Sequence, residues 1–316
     1  MADASVTGRV TSQTHNADPL VAPTCRLCGA RAKLAFGARD LNRRISDDVF
    51  DYYRCLRCGA VTLGTIPSDL ARYYPREYYR LPESLDSLAE LADAERYKLD
   101  IVVPLKSRGN LLDIGPSVGA FAYLAKAAGF EVSTIERDPD CCRFLERVVG
   151  VRAVQSDDPA GALRAEQHFD VITLWHVIEH LPEPWELLAE ATKKLRPGGL
   201  LVISAPNPES LQFRLFGRYW MHLDAPRHLQ LIPLAEVVDR AASLGLRPAY
   251  LSTHDQGTLL CNPPGWKVST AHWLTDQAIP VLRWKLGTAL ALLANPIDRL
   301  GRLGSAYTVA LTAPPR

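Results

Sequence analysis

No stretch of this 316-residue chain approaches the roughly 18–20 apolar residues of a membrane-spanning helix; the best run, 286–294, is far too short. The N-terminus lacks an apolar core of the kind that marks a secretory leader, so the cytoplasm is the default location. Charge of one sign is also missing. Lys and Arg number 36 against 35 Asp and Glu, a formal +1, which excludes a global attraction to nucleic acid or acidic lipid. Internal repeats and low-complexity tracts are absent, excluding a repeat architecture. Disulfides are not expected either. Seven cysteines in a reducing compartment should be free thiols or metal ligands.

What is present is the composition of a globular protein, 47% apolar and 22% charged. The length allows a full α/β core with about 60–100 residues to spare, hence one large and one small domain. Residues 1–20 are polar and aperiodic and are expected to be disordered. Residues 21–64 hold a cysteine framework, and 65–108 form a proline-punctuated connector with a helical lead-in over 83–106. Segment 21–80 has a modest basic bias, eleven Lys/Arg against six Asp/Glu. From 109 to 316 strands and helices alternate. Strands are expected near 110–114, 130–135, 151–155, 169–174, 199–204, 247–253 and 305–313, and helices near 119–128, 139–148, 184–195 and 233–244. Such alternation means right-handed βαβ units: a Rossmann-like, mostly parallel seven-stranded sheet with helices on both faces.

The most informative segment is LLDIGPSVGAF at 111–121, followed by EVSTIE at 131–136. A buried strand delivers a turn whose Gly115 and Gly119 let backbone approach a ligand. The next strand ends on Glu136, 21 positions after Gly115, where an acid would meet ribose hydroxyls. Pro116 and Ser117 break the dinucleotide GxGxxG pattern.

This DxGxxxG turn, the acid on the second strand, FDVITLWHVIEHL at 169–181 and LRPGGLLVIS at 195–204 together resemble class I S-adenosylmethionine-dependent methyltransferases over residues 109–255. The resemblance implies a methyltransferase that binds S-adenosyl-L-methionine. It carries Asp113, Gly115, Pro116 and Gly119 into the cofactor loop and Glu136 onto the ribose. Asp157 falls beside the adenine, with Asp158 as the alternative, and Trp175 and His176 fall at the methionine end. Ser117 stands where the family often has glycine. By the same resemblance the last strand enters antiparallel beside the sixth.

CRLCG at 25–29 and CLRCG at 55–59 make C-x2-C-x26-C-x2-C. Each knuckle brings two thiolates to one ion, and four thiolates in tetrahedral array select zinc. Cys25, Cys28, Cys55 and Cys58 are therefore expected to hold a closed, structural zinc, with Cys141, Cys142 and Cys261 ordinary core or helix residues. Two uses of this zinc-ribbon-like domain stay open. Some ribosomal RNA methyltransferases carry a ribbon, and Arg72, Arg76 and Arg80 among the tyrosines of YYPREYY would suit stacked bases. The alternative is that these tyrosines cover the joint to the larger domain. The cysteine pattern followed by YYPxxYY also resembles methyltransferases of polysaccharide, glycolipid and secondary-metabolite pathways, several acting on sugars.

Methyl transfer needs an acceptor held in line and, for a hydroxyl, a proton acceptor. His228, in WMHLDAPRH at 220–228, is the leading candidate for that base, followed by His222, with His180 of the Glu179–His180 pair third. Arg227 would either anchor an anionic acceptor or pair with Asp224. The segment 262–303 reads as a helical insertion, which caps the pocket or, through 271–303, meets a second copy or lies on the inner face of the membrane. The function expected is methyl transfer to a small-molecule acceptor, a sugar, lipid-linked glycan or secondary-metabolite hydroxyl or carbon, and not to nucleic acid. RNA methylation is the second reading and a non-catalytic scaffold the third.

Overall fold

The computed structural model describes residues 23–75, 78–274 and 280–315. The disorder expected for 1–20 lies outside these residues, as does Arg76. Strands β1 (Ala32–Ala38), β2 (Phe50–Cys55) and β3 (Val61–Leu63) pair antiparallel in chain order. The expected single helix over 83–106 is two, α1 (Leu85–Asp93) and α2 (Tyr97–Val102). A Ser84–Ser87 capping box starts α1 by satisfying two orphan backbone N–H groups reciprocally.

The alternation then follows: β4 (Gly109–Ile114), α3 (Ala120–Ala127), β5 (Phe130–Glu136), α4 (Pro139–Phe144), β6 (Arg152–Gln155), α5 (Pro159–Arg164), β7 (Phe169–Trp175), α6 (Pro184–Lys194) and β8 (Leu195–Pro206). Pro139 and Pro184 sit in first turns, where a missing N–H costs nothing. After β8 come α7 (Leu211–Phe216), β9 (Gln230–Leu231), α8 (Leu234–Ser243), β10 (Arg247–Ser252), α9 (Gln256–Trp273), α10 (Pro280–Asp298) and β11 (Ala306–Thr312).

The large sheet runs β10-β11-β8-β7-β4-β5-β6, parallel except for β11, which lies antiparallel between β10 and β8. Its side chains divide by the two-residue period. Leu112, Ile114, Ile172 and Leu174 meet α5, α6 and α8, whereas Leu111, Val171, Leu200 and Val202 meet α2 and α3. Each such fully buried aliphatic contributes about 1.5–3 kcal/mol. Strand order reverses at β4, so the carboxyl ends of β4 and β7 border the crevice in which such sheets bind ligands.

The cysteine segment is sewn into this fold. Strand β9, from beyond β8, pairs with β3 as the fourth strand of the N-terminal sheet. Cys25, Leu27 and Cys55 pack into the cluster of Leu187, Ile232 and Val237. Tyr52, Val61 and Leu63 pack with Phe213, Trp220 and Leu231. No helix among the described residues is long and apolar enough to cross a membrane.

Candidate active site

A cavity of about 840 Å³ opens at the carboxyl ends of β4, β5 and β7. Gly115, φ +68°, forms part of its wall, and a Cβ there would meet Val177 Cγ2 at 2.7 Å. Only a bare backbone fits between the two strand ends. Glu136 faces the same space. Its Oε2 accepts from Ser117 N at 2.9 Å, and its Oε1 from Arg137 N at 2.7 Å and Asp138 N at 2.9 Å. Burial raises its carboxyl above the usual range, opposed by these three donors. The carboxylate is thus fixed, with one acceptor site of about four left on Oε2 for a ribose hydroxyl. Asp157, Trp175 and His176 also line the cavity.

Three residues expected at the cofactor do not line it. Asp113 is buried behind the turn, accepting from Thr173 Oγ1 at 2.7 Å, and burial pushes its carboxyl up to about 7. Pro116 is absent from the wall. Gly119, φ +80°, begins α3, and its bare Cα leaves room for Leu145, whose Cδ2 would lie 2.4 Å from a Cβ. Asp113 and Gly119 shape the turn that carries Gly115. Asp158 is occupied as the cap of α5, accepting from Gly161 N at 2.9 Å.

The same cavity is lined by His180, His222, His228 and His272, with Tyr74, Tyr78 and Tyr79. His228 Nδ1 lies 2.8 Å from the His222 carbonyl, and His180 Nδ1 lies 3.0 Å from the Arg227 carbonyl and 3.1 Å from Tyr74 Oη. A carbonyl can only accept, so each Nδ1 carries the proton and each Nε2 a lone pair. The two rings stand 4.6 Å apart, edge to face. His222 Nε2 lies 3.4 Å from the Cys261 carbonyl, so in this ring the proton sits on Nε2 and the lone pair on Nδ1. Beneath them Glu179 is 1% exposed, and neither carboxylate oxygen has a hydrogen-bond partner. Burial would raise that carboxyl, but His176 Nδ1 at 3.4 Å, with His228 and His180 nearby, brings it down to about 2. One ligand atom from each of Glu179, His180 and His228 lies within 4.8 Å of the others, a spacing that suits proton acceptance or a divalent cation.

Burial lowers both His180 and His222 to about 4. Unfolded, both would titrate near ~6.5. Between these values the unfolded chain binds more protons, so their contribution to stability, complete above ~6.5, is lost as pH falls toward 4. Asp113, raised when folded, works in the opposite sense over the same interval. Urea midpoints at pH 7, 6 and 5 should therefore fall less steeply with acid in His222→Gln than in the wild type. An equal slope would contradict the burial of His222.

Arg227 cannot anchor an acceptor, which corrects one of the two roles considered for it. Its side chain is fully buried, paired with Asp40 at 2.6 Å and Asp224 at 2.7 Å, and donates to the Tyr73 carbonyl at 3.3 Å. Only Tyr73 lies in the joint core; Tyr74, Tyr78 and Tyr79 face the cavity instead. Arg137 lies over Tyr74 at 4.2 Å and Arg43 over Tyr78 at 4.8 Å. The contributions of Asn42, Arg43, Val268 and His272 to the wall carry no local sign in the sequence, because they arrive from remote segments. Strain marks the same place. Non-glycine residues with positive φ among the described residues are Arg44, Ser117, His176 and Asp224, and the last three line the cavity.

The four cysteines converge beside this structure. Cys25 Sγ and Cys58 Sγ are 3.9 Å apart, Cys28 Sγ and Cys55 Sγ 3.4 Å, and all four ligand atoms lie within 4.8 Å. Arg57 N and Cys58 N both donate to Cys55 Sγ at 3.4 Å. Gly29 and Gly59, φ +70° and +73°, turn the chain past each knuckle. The first knuckle is tied to α6 by Trp185 Nε1 donating to the Leu27 carbonyl at 2.9 Å.

A family model described as a methyltransferase domain matches residues 79–250. A ubiquinone biosynthesis O-methyltransferase of Cereibacter sphaeroides is 28% identical over 211 residues, 63% of this chain and 81% of that protein. An uncharacterized methyltransferase of Mycobacterium ulcerans is 28% identical over 209 residues, 59% of this chain and 76% of that one. A SAM dependent methyltransferase from Archaeoglobus fulgidus has a TM-score of 0.49 at 20% identity, covering 70% of this chain and 94% of that structure. With half of its length under that family model, the chain belongs to the methyltransferase-domain family and is an S-adenosylmethionine-dependent methyltransferase.

Proposed function

We propose that the enzyme methylates a hydroxyl of a small-molecule acceptor, of the sugar, lipid-linked or secondary-metabolite kind, and that His228 receives the hydroxyl proton. The observation that carries this reading is the pair of imidazole lone pairs, on His180 and His228, in one cavity with Gly115 and Glu136. S-adenosylmethionine, when bound, supplies a methyl group on a sulfonium. The chain's own residues do the rest. Glu136 holds a ribose hydroxyl, Gly115 admits the cofactor's backbone-facing edge, and Trp175 and His176 border the methionine end. Tyr74, Tyr78 and Tyr79 exclude water from the acceptor side and offer apolar faces to it. Burial lowers His180 to about 4, a poor proton acceptor near neutral pH, and the proton is assigned to the Nε2 of His228 on geometry, its Nδ1 being turned to the His222 carbonyl. The relative acting in ubiquinone biosynthesis is an O-methyltransferase, which favours oxygen over carbon as the attacking atom. The inward-facing tyrosines leave an RNA reading without its aromatic platform.

The test is turnover to S-adenosylhomocysteine across nucleotide-linked deoxysugars, polyprenyl phenols and lipid-linked glycans. With a productive acceptor, His228→Gln should lower kcat by about 10²–10⁴-fold and leave cofactor affinity within a factor of two. Unchanged kcat would remove His228 from the chemistry. A second reading has its own observation, the convergence of Glu179, His180 and His228. If those lone pairs hold a divalent cation, turnover by zinc-replete enzyme should vanish in EDTA and return with Mg²⁺ or Mn²⁺.

We also propose that Cys25, Cys28, Cys55 and Cys58 hold one structural zinc. Four convergent sulfurs with backbone N–H donors on Cys55 suit that ion, and four thiolates leave no open position for catalysis.

A further inference from the structure

We propose that the outer face of α10 seats this protein on a lipid surface bearing anionic headgroups. Helices α9 and α10 form a hairpin with two distinct sides. On its inner side α9 contributes Cys261, Val268 and His272 to the cavity wall. Helix α10 packs on α9 through Gly287, where a Cβ would meet Lys267 Cα at 2.8 Å, and through Ala291, Ala294 and Asp298. The Asp298 carboxylate is buried, accepting from Trp266 Nε1 at 2.7 Å.

Among the described residues, the opposite side of α10 is left open. Leu282, Leu286 and Leu293 recur at steps of four and seven, which keeps them on one helical face, and all are exposed, as is Leu300 just past the helix end. Leu292 and Leu293 are 73% and 74% exposed, and Ile297 stands beside them. A row of open leucines of this length is a contact surface, since monomeric proteins seldom leave such patches in water. Trp273 and Trp284, both half-exposed, supply the amphipathic rings favoured at the headgroup level.

Charge selects the occupant. Lys285, Arg299 and Arg302 are exposed around the leucines, and the only acid in 280–303, Asp298, is turned inward. A second copy of the same face would bring cations against cations with no carboxylate to answer them. Anionic headgroups answer them directly, and the leucines enter the acyl boundary as in other interfacial helices. The hairpin would then stand between lipid on one side and the acceptor end of the cavity on the other. That last point rests on the proposed methyl transfer to a lipid-linked acceptor; the surface itself does not.

The test is flotation of the full-length, zinc-loaded protein with phosphatidylglycerol–phosphatidylcholine vesicles and with phosphatidylcholine vesicles alone. Binding to the anionic vesicles should be at least tenfold tighter and weaken with salt. Leu292→Glu with Leu293→Glu should weaken it at least tenfold. Lys285→Glu with Arg299→Glu should do the same, since each cation contributes about fivefold near an anionic surface. Unchanged S-adenosylhomocysteine affinity in both double variants certifies their folding. Absence of binding to anionic vesicles overturns the proposal. So does a wild-type dimer by light scattering that the leucine variant converts to monomer, which would assign the face to a second copy. Vesicle binding without methyl transfer to any acceptor would count against the proposed function alone.

Discussion

Asp40→Ala should destabilise the protein by about 3–5 kcal/mol, the cost of leaving a buried cation short of its partner. The Arg227 guanidinium is fully buried and held by two carboxylates. Asp40 supplies bonds of 2.6 and 3.1 Å, Asp224 bonds of 2.7 and 2.8 Å. Removing Asp40 leaves Arg227 with Asp224 alone, so the two N–H bonds that Asp40 accepted go unmet where water cannot reach. The same carboxylate also accepts from Arg43 N at 3.0 Å and Ile45 N at 3.1 Å, fixing the turn that brings Asn42 and Arg43 to the cavity. The loss should therefore appear twice, as a lower urea midpoint and as a raised KM for acceptor, with cofactor affinity less affected. Asp40→Asn keeps an acceptor for the backbone donors but not the charge, and should fall between. A change below about 1 kcal/mol would mean that this ion pair is not desolvated.

Loss of zinc should have the larger effect. Binding of a structural zinc by such thiolate sets is worth about 10–16 kcal/mol, more than any side-chain contact here. Its consequence is directional. The cysteine knuckles pack on α6 and α8, and β1–β3 share a core with Trp220 and Leu231. Undoing them removes the wall formed by Asn42 and Arg43 and frees the 220–228 segment. Strands β4 to β8 keep their own core. Cys58→Ser, or chelation under denaturant followed by refolding, should abolish acceptor turnover by more than a thousandfold, ~4 kcal/mol or more, while S-adenosylhomocysteine affinity drops about tenfold or less. Metal analysis should give one zinc per wild-type chain. Full turnover by protein with no zinc would contradict the structural role.

What the sequence shows in advance, and what it hides, divides by range. Strands β4 to β8, the bare Gly115 and the acid at 136 are written in local pattern: a two-residue period, a turn residue, a fixed offset. The cysteine pairs are equally local, though their partnership spans thirty positions. The acceptor side is built otherwise. Tyr74 reaches His180 across 106 positions, and Asp40 reaches Arg227 across 187. No periodicity records such meetings, so the tyrosines of YYPREYY read as platform or joint, and the cavity that three of them line goes unseen. Arg227 shows the same ambiguity: beside Asp224 it looks like an anion anchor until Asp40 closes on it. The short β9, two residues long, is invisible without β3 beside it. Asp113 misleads in the other direction. Its motif position suggests contact with the cofactor, but its side chain belongs to the sheet interior with Thr173.

On the proposed reading, Gly115 and Glu136 receive the cofactor in one cavity. The direct measurement is a calorimetric titration of zinc-loaded protein with S-adenosylhomocysteine, beside Glu136→Ala and Gly115→Val. Glu136 holds both the loop donors and the ribose hydroxyl site, and a side chain at 115 would strike Val177 in a left-handed backbone. Micromolar binding to the wild type, weakened at least a hundredfold in each variant, is the predicted result. Absence of binding by folded wild type, or equal binding by both variants, would contradict it.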